Sequence, residues 1–215
     1  MIFQNREEAA RLLARRLSAY YRNKHPLVLG IPRGAVSMAK IIADALGGEL
    51  DVVLVRKLGH PSQPELAIGA VDESGNVFYS DCAYEIDEGY LEAEKRRQFY
   101  IIRNRRAQYT PHRPPIDPKD RIVIVVDDGI ATGSTMTVAL RAIRAREPKK
   151  LVGAVAVASA QAARGMREEA DALVCLKVPM EFYAVGQFFR EFEQVSDEDV
   201  IKILASQEAR VTAVG

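Results

Sequence analysis

Two adjacent carboxylates, Asp127 and Asp128, stand directly after five apolar residues, Ile122 to Val126. The run Gly129-Ile130-Ala131-Thr132-Gly133-Ser134-Thr135 follows, and Met136 opens a helical apolar pattern. A buried strand of this kind delivers its acids to the exposed end. The turn of small residues then leads straight into a helix N-terminus. Small residues let backbone N–H groups approach an anion, and Thr132, Ser134 and Thr135 add hydroxyl donors. The helix end adds partial positive charge, so a phosphate is the natural guest. The carboxylates repel that phosphate and suit neighbouring hydroxyls or a cation bound to them. One ligand satisfies both halves: a ribose 5-phosphate. Competing phosphate motifs fit worse, because Gly133-Ser134-Thr135 lacks the Walker lysine, and Gly129 and Gly133 fall short of a three-glycine dinucleotide fingerprint.

Three further segments carry groups of the right kind. Gly30-Ile31-Pro32-Arg33-Gly34-Ala35 follows an apolar run and opens a helix; Gly34 permits close backbone approach, and Arg33 can grip a phosphate with two nitrogens. Arg56-Lys57 follows a second apolar run, Asp51 to Val55, and is expected to end that strand. Phe182, Tyr183, Phe188 and Phe189 place four aromatics in eight residues after the last apolar run, as a packed core or as flat surfaces for a base.

The elements that must position these groups alternate. The spacing predicts helices over about 6–22, 35–46, 87–109 and 160–170, one after the small-residue turn with Met136, Ala139, Leu140 and Ile143 inward, and one from Ser196 onward, capped by Ser196. Strands are expected at 27–31, 51–55, 122–126, 151–158 and 173–178, with a hairpin at 66–71 and 76–79 around Glu73-Ser74-Gly75. Alternation of this kind implies an α/β fold, a mainly five-stranded parallel sheet with helices on both faces, and ligands beyond the carboxyl ends of its strands. The whole chain reads as one domain, with a lid insertion at 58–120 and a C-terminal hood at 179–215.

The 215 residues suit one domain, and 30 basic against 29 acidic side chains leave a net charge of +1, unlike a general nucleic-acid binder. The basic helix segments Lys95–Arg97 and Arg103–Arg106 are expected to form a solvated face, with Glu92 and Arg96 spaced as a helical ion pair. The charged start at Arg6-Glu7-Glu8 argues against a signal peptide, no run approaches a membrane span, and two cysteines make no disulfide framework. A cytoplasmic protein is expected.

The segment Ile122–Thr135 resembles the phosphoribosyl pyrophosphate motif of type I phosphoribosyltransferases: apolar residues, two acids, a small-residue stretch, then Thr-Gly-x-Thr. The resemblance implies that Asp127 and Asp128 hold ribose hydroxyls, that Ala131, Thr132, Gly133, Ser134 and Thr135 bind the 5-phosphate, and that Mg²⁺ arrives with the substrate. It makes 30–35 the pyrophosphate loop, with Arg33, Gly34, Arg56 and Lys57 as pyrophosphate ligands and Lys57 a catalytic group beside the acids. It makes 58–84 a flexible loop that excludes water, with His60, Glu65, Asp72 and Glu73 as its possible acid–base groups. Phe-Tyr-Ala-Val-Gly partly resembles hypoxanthine–guanine enzymes, placing Tyr183 on the base and the Ala184 backbone at its edge. Those enzymes carry a third acid two residues before the motif glycine, where this chain has Ala131, a pattern closer to adenine phosphoribosyltransferases. The implied reaction transfers 5-phosphoribose to a nitrogen nucleophile, and a homodimer is expected. A regulatory protein that binds the same ligand without turnover is the alternative, and a metal-dependent hydrolase using the acidic pair is a third reading.

Overall fold

The structure, a computed structural model, describes residues 2–63 and 66–214. The chain opens with α1 (Arg6–Tyr21), capped by Asn5, whose side chain accepts from the Glu8 N–H at 3.1 Å. Strand β1 (Leu27–Gly30), helix α2 (Ala35–Leu46) and strand β2 (Glu49–Val52) follow; α2 ends at Gly47, with φ +66°. Next come three short strands, β3 (Val55–Gly59), β4 (Ala67–Asp72) and β5 (Val77–Tyr79), and the long helix α3 (Glu88–Tyr109). The alternation then resumes through β6 (Ile122–Ile130), α4 (Ser134–Arg144), β7 (Lys150–Ala158), α5 (Ala160–Glu169) and β8 (Ala172–Lys177). Helix α6 (Asp197–Val214) closes the chain, and Ser196 caps it by a reciprocal pair of hydrogen bonds with Asp199. No described helix is long and apolar enough to cross a membrane.

Five strands form one parallel sheet in the order β2-β1-β6-β7-β8, as the alternation predicts. Alternate residues of a strand face opposite sides. Ile124 and Val126 of β6 pack with α1 and α2, whereas Val123 and Val125 pack with α4 and α5.

Two boundaries near the site differ from the sequence expectation. The strand expected at 122–126 runs on through Asp127 and Asp128 to Ile130, because β7 continues alongside and pairs with it. Asp51 to Val55 does not form a single strand: β2 ends at Val52, and Arg56 and Lys57 lie inside β3. The reason is register. Gly30 pairs with Val52 and β1 ends there, so the chain beyond has no strand to pair with and leaves the sheet. It enters a second, antiparallel sheet, β3-β4-β5, which α3 covers and α4 touches. The expected lid insertion thus contains paired strands and the long helix α3.

The basic helix also departs from a wholly solvated face. Arg106 is 11% exposed and binds Asp51 and Glu73, because Asp51 is buried and Glu73 half-buried, and both require a counter-charge. On the outer face, Glu92 pairs with Lys95 at 3.7 Å.

Candidate functional site

The parallel register of β1 and β6 brings two loops together. Gly30 pairs with Val126, and the Ile31 N–H donates to the Val126 carbonyl at 3.0 Å. The 31–34 loop therefore lies beside the two acids. Gly34 is the contact point: a Cβ there would stand 2.6 Å from Asp128 Oδ2. A side chain there would have to displace the Asp128 carboxylate and the Arg6 guanidinium, which lies 3.0 Å from the same point. The Pro32–Arg33 peptide is cis. Arg33 reaches Asp197, at the start of α6, over 3.6 Å, and Asp197 also accepts from the Tyr109 hydroxyl.

Asp127 and Asp128 occupy successive positions of β6 and so serve opposite faces. Asp127 lines a pocket of about 170 Å³ together with Gly129 to Met136, Lys57 and Val185. Its Oδ1 accepts from the Asp128 N–H at 2.9 Å. Burial, followed by the neighbouring Asp128 charge, holds its carboxyl well above the usual carboxylate range. Asp128 faces α1 and binds Arg6 at 2.8 Å.

The turn between the acids and α4 is shaped for close approach. Gly133 adopts φ +82°, which Gly tolerates freely. The Thr132 and Ser134 hydroxyls lie 3.1 Å apart, and Ser159 Oγ fixes the turn by donating to the Ala131 carbonyl at 2.6 Å. The open α4 N-terminus beyond has no side-chain cap. All five expected phosphate residues, Ala131 to Thr135, line the pocket.

Arg56 and Lys57 diverge. Lys57 lines the pocket above and also a larger cavity of about 720 Å³ between the small sheet, α3 and α4. Arg56 lines only the larger one of these two, where its Nε donates to Gln98 Oε1 at 2.5 Å. Desolvation, then the Arg105 and Arg97 charges, lowers its affinity for its proton. His60 lines the same cavity, with its Nδ1 accepting from Ser62 N. Asp72 instead ties the hairpin turn through Ser74 and Asn76, and Glu73 binds Arg106. Glu65 lies outside the described residues.

The hood divides its aromatics. Phe188 and Phe189 are buried, and Phe182 packs on Phe188 with ring centroids 5.3 Å apart. Tyr183 is 82% exposed. The Ala184 N–H already donates to Gln187 Oε1, and its carbonyl accepts from the Gln187 N–H. Val185 of the hood packs on the acids' strand; its methyl groups fill the space where a Cβ on Gly129 would sit.

Two residues of this region escape a sequence reading. Arg6 touches Asp128, and Asp197 touches Arg33. Arg6 offered one signal: a cation in the first turn of a helix opposes the dipole, so another partner has to hold it there.

A family model for the phosphoribosyl transferase domain matches residues 1–191. The chain belongs to the phosphoribosyltransferase family. A solved structure from Thermus thermophilus, the protein TT1426, is 43% identical, with a TM-score of 0.87 over 96% of this chain and 99% of that one. A Mycobacterium tuberculosis protein, named provisionally as a phosphoribosyl transferase, is 40% identical over 206 residues, which are 94% of this chain and 46% of that protein. The chain thus spans about half the length of the curated relatives it matches. The AQ2163 protein of Aquifex aeolicus shares the fold at 16% identity and a TM-score of 0.51, over 84% of this chain and 76% of that one. For a phosphoribosyltransferase, the α/β architecture with a five-stranded parallel sheet is the expected arrangement.

Proposed function

We propose that the chain transfers the 5-phosphoribosyl group of phosphoribosyl pyrophosphate to a nitrogen nucleophile, a nucleobase by preference, releasing pyrophosphate. The observation that carries this reading is one pocket holding Asp127, the Ala131–Thr135 turn and Lys57 together. An acid beside an anion cradle with a lysine opposite matches a sugar with phosphates at both ends.

In this reading the turn and the α4 N-terminus take the 5-phosphate. Asp127 and Asp128 take the ribose hydroxyls from two sides of β6. Gly34 and Arg33 approach the pyrophosphate, which requires Arg33 to share or leave Asp197. Lys57 enters from the small sheet to neutralise charge on the leaving group; Arg56 reaches it only by leaving Gln98. Tyr183 offers its ring to the acceptor, while Ala184 must release Gln187 to read an edge. Among the described residues, no three His, Cys, Asp or Glu side chains gather as a cation cage. Mg²⁺ would arrive with the substrate, where Asp127 and Asp128 are the carboxylates that could help hold it, and it would supply charge neutralisation for the leaving pyrophosphate. Positioning and charge stabilisation supply the rate, since the sugar becomes cationic as the leaving group becomes anionic. A cytoplasmic homodimer belongs to the same proposal.

The test is pyrophosphate release from Mg²⁺ and phosphoribosyl pyrophosphate across a panel of nucleobases, beside the Asp127→Asn/Asp128→Asn double variant. Release that depends on a base and disappears in the variant supports the reading and names the acceptor. Release without a base contradicts it in favour of hydrolysis. Binding without release contradicts catalysis in favour of a regulatory role.

A further inference from the structure

Arg6 is the one cation in direct contact with the β6 acids in the described residues, and its guanidinium is held on every side. Its Nε donates to Asp128 Oδ2 at 2.8 Å, and its Nη1 donates to the Glu193 carbonyl at 2.6 Å. Its Cζ lies over the Phe192 ring, 3.8 Å from the ring centre. A Cβ on Gly34 would meet its Nε and Nη2 at 3.0 Å. The side chain is 15% exposed, as is that of Asp128.

These contacts belong to a series that runs from Phe3 to the site. Phe3 packs on Phe189 at 5.4 Å, Phe189 stacks on Phe192 at 5.0 Å, Phe192 covers Arg6, and Arg6 ends on Asp128. Phe3 also pairs with Phe189 through the backbone, N–H to the Phe188 carbonyl and carbonyl to the Arg190 N–H. The hood segment 189–193, the N-terminal residues and the site strand thus meet at one guanidinium. A lysine could neutralise Asp128, but it lacks the planar fork that bonds two oxygens while stacking on a ring.

We propose that Arg6 is a positioning residue for ribose recognition: it fixes Asp128 through Oδ2, presents Oδ1 to a sugar hydroxyl, and registers the hood on the site. The inference rests on the phosphoribosyl reading above. It also assigns Phe192 to holding Arg6 and not to stacking on the acceptor.

The experiment is calorimetric titration of Mg²⁺-phosphoribosyl pyrophosphate into wild type, Arg6→Ala, Arg6→Lys and Phe192→Leu, with thermal unfolding of each. Arg6→Ala is expected to bind about 10–100-fold more weakly, the scale of one charge-assisted hydrogen bond. Arg6→Lys should recover only part of that loss, and Phe192→Leu should lose less than Arg6→Ala. Added methylguanidine should restore binding to Arg6→Ala without raising its unfolding midpoint, a response that a merely structural arginine would not give. If Arg6→Ala does not fold, Arg6→Lys and Phe192→Leu decide the matter. Wild-type binding with variants within twofold of it overturns the positioning role and leaves the phosphoribosyl reading intact. Failure of wild type itself to bind overturns the reading and, with it, this inference.

Discussion

Asp51 and Asp127 are both aspartates inside strands of the same sheet, and their surroundings are opposites. Asp51, 1% exposed, receives Arg106 and Arg113 as ion partners and N–H groups from Ile116 and Val52. Burial pushes its carboxyl upward, but Arg106 and Arg113 overcome that and hold it below the ordinary range. Asp127 has the Asp128 N–H for a donor and the Asp128 carboxylate for a neighbour, and its carboxyl is driven upward. A carboxylate saturated with donors is a building element. One left short of them is poised for a ligand, since structural arrangements seldom tolerate such a conflict. The molecule therefore uses the same side chain to join α3 to the β2 edge and to prepare a site.

The comparison breaks most easily at Asp51. Asp51→Asn leaves Arg106 and Arg113 buried with less compensating charge, and about 3–5 kcal/mol of stability should be lost. Denaturant unfolding measures it. Any phosphoribosyl transfer per folded molecule should be unchanged, and a stability loss below about 1 kcal/mol would show that the cluster is not structural. Asp128→Asn sits at the next level. It weakens the Arg6 contact and a sugar contact, costing about 1.5–3 kcal/mol, or about 10–100-fold in turnover. Pyrophosphate-release kinetics check it, and an unchanged rate would remove Asp128 from the site.

How much of this was legible in the residues follows the range of the interactions. The β6–turn–α4 segment could be read because its chemistry is local: five apolar residues, two acids and a small-residue turn specify strand, site and helix end in one stretch. The parallel sheet followed from alternation. The β2–β3 break was not legible, because it depends on where β1 stops, more than twenty residues away. Arg106 read as solvated because helical charge patterning says nothing of a buried Asp51 brought up from another element. Arg6 lies 122 residues from Asp128 in sequence, and only the folded sheet brings them together. Arg56-Lys57 read as one cationic pair, yet strand alternation gives the two side chains different surroundings.

The smallest effect sharpens the contrast most, because its sign differs. Asp127→Asn removes a desolvated charge beside Asp128 and keeps the shape. It should raise stability at neutral pH by about 0.5–2 kcal/mol, the usual gain when a functional conflict is relieved, while abolishing any transfer. The pH dependence fixes the cause. A carboxyl whose folded pKa is raised keeps its proton in the folded state at pH values where the unfolded chain, near pH 3.9, has lost it. Its contribution to stability is then greatest at low pH and declines as pH rises through the folded midpoint. The unfolding midpoints of wild type and Asp127→Asn should converge near pH 4 and separate toward neutrality. Asp51→Asn runs the other way: the wild-type advantage is present above the unfolded pKa and shrinks only as pH falls through the lowered folded pKa. Two aspartate-to-asparagine variants of one sheet with opposite signs would establish that donor supply, not burial, separates the structural acid from the site acid. A parallel response of both variants would refute that distinction.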